Sequence, residues 1–191
     1  MSEDYQPEIV LEEGPSPFGR WLQSERLGKG LTVEALADKS GVSMPAIYNI
    51  EAGRTQNPIA ATRNKLEQAL QSSTPQAIID EEKLSTSINQ LGSLEDFDPH
   101  EINSIPAESG VYVFYDISDR PVYVGRSKDM RRRIRQHQDR FWFKRPIVER
   151  GSLIRIGDAG LIKQIEEILI RFLKSNAVLN QNLVDRDLSD D

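Results

Sequence analysis

The sequence predicts two domains, an all-α bundle followed by a small α/β unit with a short, mainly antiparallel sheet flanked by helices. Three observations carry that expectation. Residues 17–71 hold apolar residues at helical spacing between recognisable caps. Val111, Val113 and Tyr115, then Val122 and Val124, alternate with other residues, the period-2 sign of a half-buried hairpin. Residues 72–104 between them turn acidic and rich in Ser, Thr and Pro, as a linker does.

In the first unit Phe18–Leu27 reads as a helix with Phe18 and Leu22 inward. Thr32 is placed to cap a second helix, which carries Val33, Leu36 and Ala37 and stops at Ser40-Gly41. Ser43 caps a third, Met44–Glu51, where Pro45 sits in the tolerant first turn and Ile47 and Ile50 are buried. Gly53 ends it, and a fourth helix spans about Ile59–Leu70. The run LTVEALADKSGVSMPAIYNIEAGR resembles the helix-turn-helix of the Cro/repressor (Xre-like) family, through Leu36-Ala37, the turn Gly41-Val42-Ser43 and the ending Ile50-Glu51-x-Gly53. The resemblance implies that the third helix enters the major groove, with Ser43, Met44, Ala46, Tyr48 and Asn49 near base edges. Met44, Pro45 and Ala46 offer no side-chain hydrogen bond, so Asn49 and Tyr48 are left to read polar groups. A unit of this type commonly pairs, so a homodimer on two-fold DNA is expected.

Residues 72–104 are expected to tether the two units, with Ile79, Leu84, Ile88 and Leu91 striping one short helix. His100 reads as ordinary surface. The acidic arm 1–16 and the tail 184–191 lie outside both units.

The second unit spans 105–183. Two strands, Gly110–Asp116 and Pro121–Gly125, are joined by a turn at 117–120, and Tyr112 and Tyr123 point away from the valines on one side of the hairpin. A basic helix is expected from about Lys128 to Arg140. At about 100° per residue Met130, Ile134 and Phe141 form its core stripe, with Arg133, His137 and Arg140 together on one flank. Phe141-Trp142-Phe143-Lys144-Arg145 interleaves aromatics and cations, suiting either a nucleic-acid grip or a loop anchor. A third strand is placed within Ser152–Ile156. The helix Leu161–Lys174 buries Leu161, Ile162, Ile165, Ile168, Leu169, Phe172 and Leu173, which leaves Glu166 at the edge of the apolar face, in need of a partner such as a cationic side chain or a metal.

Gly110-Val111-Tyr112, Tyr123-Val124-Gly125, then Arg133, His137 and Glu166 in order, resemble the GIY-YIG nuclease family. The resemblance implies a phosphodiester-cleaving domain with one divalent metal, Mg²⁺ with Mn²⁺ as substitute, held by Glu166. It also implies that Tyr112 or Tyr123 handles the attacking water, that Arg133 neutralises phosphate charge and that His137 assists. The family's closing Asn is matched loosely by Asn180, without the preceding Pro, with Asn182 as a further candidate.

The net charge of −6 argues against a polyanion partner only as a sum. From Arg120 to Arg150 eleven Lys and Arg face three acids, a basic face on an acidic frame. Arg126, Lys128, Arg132, Arg140, Lys144 and Arg145 are its candidate DNA contacts. The absence of cysteine excludes disulfide and thiolate chemistry. No apolar run approaches membrane length, so a cytoplasmic protein without a membrane partner is expected, nucleoid-associated when bound to DNA. Together these features predict a metal-dependent DNA endonuclease that cuts duplex DNA, guided by its first unit in a restriction-, homing- or mobile-element-like role. The alternatives are a DNA-binding regulator whose second unit does not cut, and a structure-selective repair or recombination nuclease.

Overall fold

The computed structural model describes residues 14–89, 91–173 and 179. Asn180, Asn182, residues 1–13 and the tail therefore lie outside the described residues. The first unit holds α1 (Pro17–Gly28), α2 (Val33–Ser40), α3 (Met44–Glu51) and α4 (Ala60–Leu70). Side-chain oxygens cap the first three: Ser16 accepts from the Gly19 amide, Thr32 from Ala35 and Ser43 from Ala46. Gly41 closes α2 with φ of 66°, a left-handed turn that suits a residue without Cβ. Phe18, Leu22, Leu36, Ile47, Ile50, Leu66 and Leu70 make the core. Arg26 and Glu51 cross it as a buried pair through two bonds of 2.7 Å.

Residues 72–104 are not a free tether. After α5 (Gln76–Thr86) come β1 (Ser87–Ile88) and β2 (Gly92–Phe97), and β2 is a full member of the sheet. The other strands are β3 (Gly110–Tyr115), β4 (Pro121–Ser127) and β5 (Arg150–Arg155), in the order β1-β2-β5-β3-β4 with antiparallel neighbours throughout. Local composition hid β2 because its acids have distant partners. Glu95 meets Arg155 at 2.9 Å, and Asp96 accepts from Ser152. His100 is likewise part of the structure and not plain surface, since its Nε2 lies 2.8 Å from the Val148 carbonyl.

The two sheet faces separate the apolar residues by strand period. Val111, Val124 and Ile154 pack under α7 (Ala159–Phe172). Tyr112, Phe114 and Leu153 face the other way, onto α6 (Met130–Arg135), whose Met130 and Ile134 are fully buried. The hairpin pairs Phe114 with Tyr123, so the two expected tyrosines do share a face. No helix among the described residues is long and apolar enough to cross a membrane.

Two expected helix faces are corrected. α6 ends at Arg135, because the chain then tightens into i→i−3 bonds from His137 to Ile134 and from Arg140 to His137. A 100° projection fails beyond that point: Phe141 is 82% exposed and Trp142 is buried in its place. On α7, Ile168 and Phe172 are exposed, because the helix rests on one sheet face with a narrower contact through Ile162, Ile165, Leu169 and Ile170.

Candidate active site at the β4 edge

β4 is the last strand of the sheet, with α6 over one face and α7 over the other. Side chains from both faces therefore meet at its open edge. Glycine is required in both hairpin triplets by close approach. A Cβ on Gly110 would collide with the Ile154 carbonyl of β5, and one on Gly125 would lie 2.5 Å from the Tyr112 phenol carbon. The second glycine is what lets the Tyr112 ring lie flat across β4.

Tyr112 is 1% exposed, and its hydroxyl lies 2.9 Å from His137 Nε2. Burial pushes this phenol well above its ordinary range, the neighbouring Tyr123 adds to the rise, and Arg133 offsets only part of it. Dehydration outweighs the cation beside it, and Tyr112 stays protonated. Tyr123 is only half-buried. Its ring stacks on Trp142 at 5.3 Å and meets the His137 ring edge at 4.8 Å. It is the phenol with access to solvent.

His137 is 5% exposed and titrates at about 4, lowered first by burial and then by Arg133 and Arg140. It is neutral at ordinary pH, a hydrogen-bond partner for Tyr112 and not a standing cation. Arg133 projects from α6, exposed and bonded to Gln136 at 3.2 Å. Partial burial pulls its pKa down, but the Tyr123 and Tyr112 oxygens beside it more than compensate, and it stays charged.

Glu166 enters from α7. Its Oε2 accepts from Arg126 of β4. Burial raises this carboxyl above the usual range, and Arg126 and Arg133 pull it back only in part. The helix-edge placement read from the sequence is thus observed, and the cation it needs is supplied by Arg126, one of the expected DNA contacts. Tyr112, Tyr123, Arg133, His137 and Glu166 are brought together; Asn180 falls outside the described residues.

Of the remaining expected contacts, Lys128, Arg132, Arg140 and Lys144 are exposed and, among the described residues, free of carboxylate partners, as is Arg135. With Arg133 they make up a basic stretch, or ridge, that runs in sequence from Lys128 before α6 to Lys144 after it. Arg145 does not belong to it: it is held by Asp98 at 2.7 Å and Glu149 at 3.1 Å. In the first unit Met44 and Tyr48 are exposed, whereas Asn49 is 6% exposed and Ser43 is bonded to the sheet unit. Asn49 therefore cannot read a base edge in this arrangement. Trp142, which walls Tyr123 and His137, was not foreseen as a site residue. Its spacing of five beyond His137 was the available signal, masked by treating Phe141 as the inward ring.

Residues 108–150 match the model of the GIY-YIG catalytic domain, and residues 22–75 match the helix-turn-helix model. The chain joins a helix-turn-helix segment to a GIY-YIG segment. The UvrABC system protein C of Prochlorococcus marinus (strain MIT 9313) is 36% identical over 86 residues, which are 44% of this chain and 11% of that relative. The chain thus spans about a tenth of the length of the curated relative it matches. Among solved structures, the GIY-YIG N-terminal endonuclease domain of UvrC from Thermotoga maritima, bound to magnesium, is 21% identical, covering 39% of this chain and 88% of that one with a TM-score of 0.33. An HTH_3 family transcriptional regulator from Vibrio cholerae is 16% identical, covering 74% and 89%, with a TM-score of 0.32.

Proposed function

We propose that this protein is a DNA endonuclease whose centre at the β4 edge hydrolyses phosphodiester bonds with one divalent cation. The observation that carries this reading is the convergence of Tyr123, Arg133 and Glu166 at one solvent-reached edge, backed by the Tyr112–His137 pair. Phosphodiester hydrolysis needs negative charge neutralised and a water oriented in line, tasks that these residue types divide among themselves.

The donor set fits a hard cation. Glu166 is a partly dehydrated carboxylate that already draws a positive group, Arg126, onto one oxygen. Among the described residues no cluster of three acids or histidines surrounds it, so an ion held there keeps most of its ligands as water. That is the habit of Mg²⁺, with Mn²⁺ as the substitute. When bound, the ion supplies polarisation of the phosphate and stabilisation of the leaving oxygen. Arg133 is the fixed charge that meets the non-bridging oxygens. Tyr123 orients the water through its hydroxyl from its solvent-facing position, and the water's proton leaves to bulk solvent. Tyr112, protonated and bonded to His137, positions the tyrosine pair and takes no proton itself.

Two forms of the activity separate on the role of the first unit. Guided cutting of duplex DNA by a dimer needs α3 to read bases. Structure-selective cutting, as in a repair or recombination nuclease, does not, and the burial of Asn49 favours it. The test is incubation of wild type and Glu166→Ala with long mixed-sequence duplex and with branched DNA, each with Mg²⁺ or EDTA. Mg²⁺-dependent cutting by wild type alone is expected, preferentially at branches. Discrete duplex fragments would return the guiding role to α3. Bound but uncut DNA at every metal concentration would make the protein a regulator.

A further inference from the structure

The N-cap of α3, Ser43, is already engaged by acids of the sheet unit. The Ser43 amide donates to Glu101 at 2.8 Å, and its hydroxyl donates to Asp98 at 2.6 Å. Neither acid is a loose surface group. Asp98 also holds Arg145 at 2.7 Å, and Glu101 holds Lys65 at 3.0 Å. Further along α3, Asn49 lines a narrow crevice together with Asp96 and Asp98.

The contact continues through the backbone. The Asp96 amide donates to the Asn57 carbonyl at 2.7 Å, and the Ile59 amide donates to the Asp96 carbonyl at 2.9 Å. Ile59, from the helical unit, is 1% exposed and packs in the same apolar cluster as Phe97 and Tyr112 of the sheet unit. A regulatory latch is made of exposed contacts that exchange with water at little cost. Here buried apolar area, a strand-like backbone bridge and charge-assisted bonds would all have to be surrendered together.

We propose that α3 is the permanent seam between the two units and not a DNA-reading element, and that DNA is held by the ridge from Lys128 to Lys144. This rests on the reading of DNA as the ligand. Charge distribution agrees with it. Beside α3 the cations Arg145 and Lys65 are taken up by Asp98 and Glu101, whereas the ridge carries six exposed cations with no carboxylate partner among the described residues. The helix-turn-helix fold then serves as a scaffold that orients the sheet, in place of a reading head.

The chain contains no cysteine, so a single engineered pair reports cleanly. Ser43→Cys with Asp98→Cys, in the full chain, is linked by oxidation and compared with its reduced form for binding a fluorescent duplex in EDTA. Affinities within twofold of each other are expected, because closing a seam that never opens changes nothing. A tenfold loss on linking, restored by reductant, would overturn the proposal. Should that pair fold poorly, hydrogen exchange of the Ser43 and Ile59 amides in the native protein gives the same decision. Protection unchanged by DNA supports the seam, and protection lost on adding DNA refutes it. Arg132→Ala with Arg135→Ala and Arg140→Ala is expected to lower affinity at least tenfold and to make the salt dependence shallower by about three phosphate contacts. Unchanged affinity in that variant would remove the ridge as the binding face. Every readout is binding without metal, so a failure to cleave would count against the proposed centre and leave the seam to be judged on its own.

Discussion

In the helical unit and along its seam with the sheet, buried charges meet opposite charges: Arg26 grips Glu51, Arg63 reaches Glu82 at 2.7 Å, and Asp98 joins Arg145 to Ser43. Around β4 the arrangement is the reverse. Glu166 is dehydrated beyond what Arg126 offsets, and His137 is kept neutral by burial and by Arg133 and Arg140. Charges of the first kind hold the fold together. Those of the second are left unsatisfied in a way that a phosphate and a cation would relieve, which fits the proposed centre.

The comparison is sharpest at Glu166. Glu166→Gln should lower Mg²⁺-dependent cleavage by about a thousandfold, while its melting temperature stays level or rises because a strained carboxylate is gone. A parallel fall in stability would place Glu166 among the structural charges. Arg26→Ala is the opposite case. It leaves Glu51 buried without a partner and should cost about 3–5 kcal/mol of folding stability, with the protein that remains folded cutting at the normal rate. Denaturant titration alongside active-site-normalised cleavage checks both halves.

Within the site, the two tyrosines should part company. Tyr123→Phe is expected to slow cleavage by about a hundredfold, whereas Tyr112→Phe acts mainly by releasing His137 and should slow it less. Equal losses in single-turnover assays would give Tyr112 a proton-transfer role that its raised pKa argues against.

The smallest effect expected is on pH. Unfolded His137 titrates near 6.5, and in the fold it titrates at about 4. The unfolded chain therefore binds the extra proton first. The stability that comes from the neutral ring is full above about pH 6.5 and falls as pH drops toward 4, by at most about 3.4 kcal/mol. Melting curves of wild type and His137→Gln should diverge across that window. Parallel curves would assign the acid sensitivity elsewhere.

Local chemistry made much of this legible. Caps at Thr32 and Ser43, the left-handed Gly41 and the alternating valines each specify their element through contacts a few residues away. Tyr112, Tyr123, Arg133, His137 and Glu166 stood out through their resemblance, in type and order, to the GIY-YIG nucleases, and the fold brings them to one edge. β2 was missed because Glu95 and Asp96 look like linker acids until Arg155 and Ser152 are beside them. Phe141 was misplaced because the helical period fails where α6 tightens.

The sequence by itself determined the two units, the hairpin with its paired tyrosines, and the basic stretch, since each depends on propensity, period or composition. Only the tertiary structure decided which charges are paired. It set Arg126 on Glu166, Arg145 on Asp98 and the acids of β2 and its following turn against α3. An ion pair depends on where two distant segments lie, and burial decides whether a phenol, an imidazole or a carboxylate keeps its ordinary charge.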